Sequence, residues 1–271
     1  MNQLLHTEFT TLHRSSSPLL LANIWDSASA LLCQRAGTQA LATSSASMAW
    51  SLGYADGSAL PREELLSVVR RMVRVARVPV TVDIEDGYSE EPREVAELAA
   101  EIARCGVVGI NIEDGEGSAE LLSRKIRAIR NTLGDRPLFI NARTDVYLRG
   151  LATGEKAVAL SIKRLAEYRD AGADGGFVPG LGAVEQVRAV AAGVDMPLNL
   201  MILPGMASVE DLFAAGARRL SAGPATFLAS YASLAEVARG FLECGETEPM
   251  FAHRLTYKAL NQAFAGKAVP G

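Results

Sequence analysis

The sequence of 271 residues is poor in the features that mark several classes of protein. It has three cysteines, Cys33, Cys105 and Cys244, with no CxxC spacing, which argues against a disulfide framework or a cysteine zinc site and is typical of reduced thiols in the cytoplasm. No apolar run approaches the roughly 20 residues that cross a bilayer, and the first residues lack a secretory pattern. These absences predict a soluble cytoplasmic protein with no membrane partner.

Positive charge is not concentrated anywhere along the chain. The 27 basic and 31 acidic residues give a formal net charge of −4, and no basic stripe is present that could neutralise the phosphates of a duplex. A nucleic-acid partner is therefore not expected. Hydrophobic residues make up 49% of the sequence, which predicts a full core that needs no covalent cross-links.

Short apolar runs alternate with longer amphipathic segments along most of the chain. Eight strands are predicted at residues 18–24, 39–45, 79–85, 108–113, 137–143, 174–179, 197–202 and 218–223. Helical patterns lie between them at residues 28–35, 62–77, 92–104, 119–132, 154–171, 183–192 and 208–215. Eight strand and helix units predict an α/β fold, a (β/α)8 TIM-type barrel, with an open doubly wound sheet as the alternative. No GxGxxG turn follows the first strand to favour the open sheet.

The chain continues for almost fifty residues beyond the eighth strand. We expect one domain over residues 1–271, with residues 225–271 as a helical extension read as helices at 225–244 and 250–265. A closed barrel needs only one of these helices. The surplus either packs on a neighbouring subunit or covers the barrel bottom.

Two predicted strands end in the same acidic tetrapeptide, IEDG, at residues 84–87 and 112–115. In parallel barrels the carboxyl ends of the strands form the active-site face. Asp83 and Glu85, two residues apart on one strand, share a face, and Glu113 ends the next strand. Because packed carboxylates repel unless a cation is present, and because no His/Cys cluster accompanies them, they favour Mg²⁺, with Mn²⁺ tolerated. The alternative is that such acids pair with basic residues or cap helices, as Asp86 and Asp114 plausibly do.

Three further stretches are candidates for the same face. Arg143 follows Glu113 by one strand and helix unit, and a guanidinium there suits bidentate binding of a carboxylate, unless it pairs with Asp145 or Glu113. The run TSSA at residues 43–46 ends a strand with hydroxyl groups suited to an anion. Asp56 lies in a glycine-containing loop and either faces the mouth or makes a turn.

Taken together, these stretches resemble the isocitrate lyase and phosphoenolpyruvate mutase superfamily. The resemblance runs in order through ANIWDSASALLCQRAG, ATSSASMAWSLGYADG, VPVTVDIEDGYS, GVVGINIEDG, INARTD, GADGGFVPG and MPLNLMILPG. It implies a (β/α)8 barrel whose final helix is exchanged between subunits of a homodimer or homotetramer. It also implies Mg²⁺ and a small 2-oxo acid or its enolate as ligands.

The resemblance also assigns roles to individual residues. It implies that the substrate carboxylate is bound by Arg143 and by backbone contacts, and that the metal touches Asp83 most directly while other acids act mainly through water. The backbone contacts fall on Ser44, Ser45 and Ala46; the metal-site acids fall on Asp56, Asp83, Glu85 and Glu113. The resemblance implies that Asn199 lies within two residues of a polar substrate contact of the family. Many relatives carry Asp at the position of Glu85.

The chain departs from the family in the loop that carries the usual acid. Lyases of the family have a Lys-Lys/Arg-Cys-Gly-His loop after the fourth-strand acid, whereas Glu113 is followed by DGEGSAELLSRKIRAIRN, without Cys or His. The Asn-bearing loop of the phosphonate-acting members is absent as well, and residues 177–179 replace the histidine of the mutase. Arg124 and Lys125 lie in an amphipathic pattern and are predicted to be solvated.

The function expected from these features is Mg²⁺-dependent cleavage of a C–C bond, as a lyase or decarboxylase, in a small 2-oxo or 2-hydroxy di- or tricarboxylate. Enolate stabilisation by the metal and Arg143 is the shared chemistry, with Glu113 and Asp56 as further catalytic candidates. Two alternatives stay open. One is a 2-oxo acid-binding protein with little or no turnover, and the other is P–C bond chemistry on phosphonopyruvate.

Overall fold

The strands of this protein form one parallel sheet. The structure, a computed structural model, describes residues 2–266. Within that range the sheet has nine strand segments in the order β1-β9-β8-β7-β6-β5-β4-β3-β2, all paired in parallel. Their bounds are β1 Leu19–Leu21, β2 Asn23–Ile24, β3 Leu41–Thr43, β4 Val80–Asp83, β5 Gly109–Glu113, β6 Phe139–Arg143, β7 Gly175–Phe177, β8 Leu198–Met201 and β9 Ala217–Ser221.

The sheet closes into a barrel through its first strand. β1 pairs with β9, and β2 pairs with β3 on the other side. Because only residue 22 separates β1 from β2, the two segments form one interrupted strand, and the nine segments occupy eight positions around the barrel. The predicted (β/α)8 TIM-type barrel is confirmed.

Helices cover the outside of the barrel and close its lower end. Over the described residues they are α1 Asn2–Leu12, α2 Ser27–Arg35, α3 Ser45–Ser51, α4 Arg62–Val75, α5 Pro92–Arg104, α6 Ala119–Leu133, α7 Gly154–Ala171, α8 Val184–Gly193, α9 Val209–Ala214, α10 Ala225–Cys244 and α11 Tyr257–Phe264. A 3-10 helix spans Glu248–Phe251. None of the helices in residues 2–266 is long and apolar enough to cross a membrane.

All eight predicted strands are present, and α5, α7 and α10 have the predicted bounds. Their apolar faces pack on the barrel: Val95, Leu98 and Ile102, at helical spacing on α5, are fully buried. The last turn of α7 leads into Gly172, whose φ of 110° permits the left-handed turn that ends the helix before β7.

Two local predictions were wrong, and one helix was not predicted. The run at residues 43–46 does not simply end a strand, because Ser45 begins the helix α3. The segment 250–265 is not one helix, because it contains part of the 3-10 helix and then α11. The amino-terminal helix α1 had no predicted counterpart. The last residues of the expected extension, 267–271, lie outside the described part of the chain.

Helix α1 closes the bottom of the barrel. Phe9 is fully buried in a cluster with Leu19, Leu21 and Phe139, which are strand residues. Its ring meets the Phe139 ring edge to face at 5.4 Å, and His13 stacks on Phe139 at 4.3 Å. With its lower end filled in this way, the barrel is open only at the carboxyl ends of its strands.

Candidate active site

Three charged side chains lie at the carboxyl ends of neighbouring strands. Asp83 is the last residue of β4, Glu113 of β5 and Arg143 of β6. Glu113 and Arg143 are partners in register, and Asp83 is in register with Asn111, two residues before Glu113. Side chains two apart on a strand share a face, so the three groups meet at one mouth.

Arg143 holds two carboxylates in this structure. Its Nη1 lies 2.5 Å from Glu113 Oε2, while Nε and Nη2 donate to the two oxygens of Asp145 at 2.6 and 2.9 Å. Its Cζ atom lies 5.8 Å from the centre of the Phe177 ring. Both ion pairs considered from the sequence therefore form together. The fork of the guanidinium is fixed by Asp145, leaving Nη1 directed at the mouth.

Asp83 is buried beside a hydroxyl donor. Ser45 Oγ donates to Asp83 Oδ2 at 3.0 Å, and the Asp83 backbone N–H donates to Thr43 Oγ1 at 2.8 Å. Burial raises the pKa of Asp83, while the nearby charge of Arg143 and the Ser45 hydroxyl act in the opposite direction. The carboxylate thus has a fixed orientation, and its burial disfavours the charged form.

Glu85 follows the strand in an unusual backbone conformation. Its φ of 52° is left-handed, which is uncommon for a residue other than glycine and occurs often at functional sites. Its carboxylate accepts hydrogen bonds from the Ser58 backbone N–H, from Ser58 Oγ at 3.2 Å and from the Tyr88 hydroxyl at 3.0 Å. Burial raises the pKa of Glu85, and the charge of Asp83 adds to this effect.

Glu113 shares its electrostatic environment with the other acids. Burial raises its pKa, Arg143 opposes this, and the charges of Asp83, Asp145 and Glu85 raise the pKa further. Asp56 is exposed in its loop, and its charge raises the pKa of both Asp83 and Glu85. The acids therefore repel one another across a common space, with Arg143 as the cation that contacts two of them.

The residues assigned to carboxylate binding are only partly at the mouth. Ser44 caps α3, since its Oγ accepts from the Ser47 N–H at 3.3 Å and from the Ser47 hydroxyl at 2.9 Å. Ser45 contacts Asp83, and Ala46 lies beside it in the first turn of α3. Asn199 is fully buried two residues before the end of β8, whereas the partly exposed Met201 lies at that end. Asn199 is thus below the mouth.

The acids at the mouth offer oxygen ligands of the kind that a divalent cation prefers. Across residues 2–266, no three His, Cys, Asp or Glu side chains are grouped so as to hold a metal ion by themselves. Asp83, Glu85 and Glu113 are therefore not a ready three-ligand cluster. Mg²⁺, however, is usually held by one or two carboxylates with water and substrate oxygens completing its shell. The oxygen donors and the unmet need for positive charge fit an ion that contacts Asp83 and reaches the other acids through water.

A cleft of ~660 Å³ extends from the mouth. Its lining includes Glu85, Glu113, Glu116, Lys125 and Arg149. Lys125 was predicted to be solvated, but its side chain is buried, and its Nζ donates to the backbone carbonyl of residue 86 at 2.7 Å. Arg149 pairs with Glu116 at 2.5 Å and so bridges the loops that follow β5 and β6. The cleft provides room for a ligand larger than the mouth alone would hold.

Asp114 has a role that the sequence did not reveal. The fully buried carboxylate accepts hydrogen bonds from Arg164, Tyr168, Thr144 and the Asp145 backbone N–H, at 2.6 to 2.9 Å. It does not cap the following helix, where Ser118 is the capping residue. Asp114 instead positions Asp145, which in turn orients Arg143. The second IEDG repeat draws attention to Asp114 in the sequence, but it does not identify the partners, which are distant along the chain.

Comparisons with known proteins agree with this architecture. The profile of the phosphoenolpyruvate phosphomutase family matches residues 9–242. An uncharacterised protein of Mycobacterium tuberculosis is 34% identical over 89% of this chain and 91% of its own length. A solved lyase/mutase-type structure from Burkholderia cenocepacia is 30% identical, with a TM-score of 0.87 and coverage of 97% and 96% of the two chains.

Two relatives with named activities are similar over a shorter stretch. The 2-methylisocitrate lyase of Salmonella typhimurium is 30% identical over 67% of this chain and 64% of its own length. The oxaloacetate decarboxylase of Pseudomonas entomophila is 31% identical over 66% and 64%. The shared region includes less than two thirds of either enzyme.

Proposed function

Because this chain belongs to the phosphoenolpyruvate mutase and isocitrate lyase superfamily of lyases and mutases, we propose that it is a Mg²⁺-dependent carbon–carbon lyase or decarboxylase. Its substrate is a small 2-oxo or 2-hydroxy di- or tricarboxylate. The observation that carries the proposal is the meeting of Asp83, Glu113 and Arg143 at the ends of three consecutive strands.

The side chains at the mouth have separable tasks. Arg143 binds the substrate carboxylate through Nη1, while Asp145 keeps the guanidinium in place through its bonds to Nε and Nη2. Asp83, oriented by Ser45, would hold Mg²⁺ or Mn²⁺ directly, while Glu85 and Glu113 act through water. When bound, the cation supplies a Lewis acid that polarises the 2-oxo and carboxylate oxygens of the substrate. The buried setting strengthens the attraction between Arg143 and the negative charge that develops on the substrate.

The short loop after β5 favours decarboxylation over retro-aldol cleavage. β5 ends at Glu113 and α6 begins at Ala119, so five residues form the loop, and none of them is Cys or His. Retro-aldol cleavage needs a base for the hydroxyl proton and an acid for the product. Decarboxylation needs an electron sink and a later protonation, which water can supply. Two of the relatives are named oxaloacetate decarboxylases.

The proposal is tested by a product assay. Purified protein with Mg²⁺ is incubated with oxaloacetate, isocitrate, methylisocitrate and related malates, and pyruvate and glyoxylate are measured. We expect product from at least one substrate, with loss of activity in Arg143→Ala. Arg188→Ala is the control, since Arg188 pairs with Glu185 on the surface. Activity that survives Arg143→Ala unchanged would contradict the assigned role.

One observation favours a second candidate, a 2-oxo acid-binding protein with little turnover. In this structure Arg143 is already paired with Glu113 and Asp145, and the loop offers no proton donor of the usual kind. Calorimetry with 2-oxoglutarate or oxalate beside the product assay separates the two functions. Tight Mg²⁺-dependent binding without any product supports the binding protein.

We also propose that the protein is a homodimer or homotetramer in which α10 packs on a neighbouring subunit. Phe227 is the single buried residue of this 20-residue helix, and it contacts Trp25 and Trp50 of the barrel. Beyond it the helix exposes Leu234, Phe241 and Leu242, the last at 80%. An apolar helix with so little of its surface buried is expected to pack on a neighbouring subunit.

A further inference from the structure

Arg219 is a buried guanidinium that the proposed chemistry does not use. It lies on β9 and is fully buried inside the barrel. Its Nη2 lies 3.3 Å from Asn111 Oδ1, a long hydrogen bond, and over the described residues its Nε and Nη1 have no hydrogen-bond partner. Burial lowers the pKa of Arg219 to about 9, and Asp83 opposes the shift, so the group is still charged at neutral pH.

This charge has no counter-ion in contact with it. Arg219 forms no salt bridge with any residue between 2 and 266. Asp83 acts on it only through space, since among the described residues the Arg219 side chain is hydrogen-bonded to Asn111 and not to Asp83. A fully buried charge without a partner is strongly unfavourable, and buried charges in native proteins are paired or bind an ion.

Other polar groups without partners lie in the same part of the barrel. Asn199 on β8 is in register with Arg219, and neither atom of its buried amide has a hydrogen-bond partner in the described chain. The hydroxyl of Thr81 is buried and unpaired in the same way. The Phe9 ring, 6.0 Å from Arg219 Cζ, closes the space from below. Unpaired polar groups therefore occur on three strands, and two of them, Arg219 and Asn199, are in register on neighbouring strands.

We propose that Arg219 and Asn199 form a binding site for a small anion inside the barrel, beneath the mouth. The ligand is a halide or a single carboxylate group. Water would satisfy the free donors but would leave the charge of Arg219 uncompensated, whereas an anion does both. Neither group belongs to the mouth itself, and the site does not depend on the proposed function.

The anion at this site can come either from a bound substrate or from solution. Asn111, which contacts Arg219, precedes Glu113 by two residues on β5 and so lies one layer below it on the same face. A carboxylate of a bound substrate could extend down to this layer. A free halide or small carboxylate from solution could also occupy the site.

Diffraction from crystals soaked in bromide tests the site directly, because bromide is located by its anomalous signal. We expect a peak within contact distance of the Arg219 guanidinium and the Asn199 amide. A second data set with oxalate bound at the mouth identifies the source. If bromide remains when oxalate is bound, the site takes a free ion from solution. If oxalate displaces bromide, the site takes a carboxylate of the bound ligand. Ordered water without a bromide peak overturns the proposal.

Thermal unfolding in solution provides the second test. In wild-type protein the melting temperature should rise with bromide concentration and reach a plateau, relative to gluconate, which is too large for the interior. Asn199→Leu should weaken the apparent affinity by about tenfold, and Arg219→Met should abolish the response. Arg188→Met, on the surface, should respond like the wild type. If wild type and Arg219→Met respond equally, or if neither responds, any bromide in the crystal is bound at crystal concentration only, and the proposal fails.

Discussion

At the scale of single residues, a chain of buried charges fixes the arginine at the mouth. Asp114 is held by Arg164 and Tyr168 and accepts the backbone N–H of Asp145. Asp145 then takes two hydrogen bonds from Arg143. The orientation of the guanidinium is therefore set before any ligand arrives, which is how a binding site gains affinity from preorganisation.

Arg143→Lys tests whether the fork, and not only the charge, is needed. A lysine keeps one positive charge but cannot bind Asp145 and a carboxylate in two directions at once. We expect kcat/KM for a 2-oxo acid to fall by about 100-fold, measured by steady-state kinetics. Arg188→Lys, at an exposed ion pair, is the matched control and should keep its activity. Equal activity of the two variants would show that the charge at position 143 is enough and that the guanidinium fork is not needed.

His13 makes the stability of the protein sensitive to acid. Burial lowers its pKa from 6.5 to about 3, Arg219 adds to the shift, and the Phe9 carbonyl opposes it. A histidine with a lowered folded-state pKa contributes stability above pH 6.5 that is lost as the pH falls towards 3. The loss should reach about 2 kcal/mol at pH 5.

Urea unfolding between pH 8 and pH 4 measures this loss. His13→Phe keeps a ring stacked against Phe139 but cannot titrate, so its stability should vary less with pH. His253→Phe, at an exposed position, should behave like the wild type. Parallel pH profiles for wild type and His13→Phe would show that His13 is not the sensor.

Part of the site could be predicted from single residues and part could not. Asp83, Glu113 and Arg143 each end a strand and are thirty positions apart, so their meeting follows from strand ends alone. The partners of Asp114 and Lys125 could not be predicted in this way, because they are distant in the sequence. Tyr168 is 54 positions from Asp114, and residue 86 is 39 positions from Lys125. The left-handed backbone of Glu85 also depends on its surroundings, since glutamate does not favour it.

At the scale of elements, the strands were visible in the sequence because each is a short apolar run next to a helical pattern. Helix α1 was not, because its sequence NQLLHTEFTTL mixes threonines with few apolar residues. Its formation depends on Phe9 entering the barrel bottom. Helix α3 was missed because its serines favour turns as well as helix caps.

Phe9→Ala tests the contribution of α1 to the barrel. The fully buried ring packs on Phe139 and fills the space beneath Gly109. Its removal should lower the free energy of unfolding by about 3–5 kcal/mol, measured by urea denaturation. Leu4→Ala, in the same helix but 77% exposed, should change it by less than about 0.5 kcal/mol. Equal effects of the two changes would mean that α1 does not close the barrel.

At the scale of the whole molecule, the barrel is complete within one chain but its last helices are not covered. Pairing of β1 with β9 and of β2 with β3 joins the two ends of the sheet through one interrupted strand. After the barrel, α10, the 3-10 helix and α11 expose Phe241, Leu242, Phe251 and Tyr257, the last at 87%. The alternation of strands and helices in the sequence predicted the barrel. A single sequence left open whether the surplus helices cover this barrel or a neighbour.

Light scattering coupled to gel filtration tests the association of subunits. We expect the mass of two or four chains for the wild type. Leu234→Glu combined with Leu242→Glu places charge on the apolar surface of α10 and should release monomers. Leu4→Glu, an exposed position outside this helix, should not change the mass. A monomeric wild type would mean that α10 needs no partner.

The central claim is that the acids at the mouth hold a divalent cation, and with it a keto-acid headgroup opposite Arg143. Calorimetric titration of oxalate into the wild type and Asp83→Asn, each with Mg²⁺ and after its removal by chelator, tests this claim most directly. The account predicts tight binding by the wild type with Mg²⁺ and a large loss of affinity on removal of either the metal or the Asp83 carboxylate. Oxalate binding of equal strength in all four titrations would contradict it.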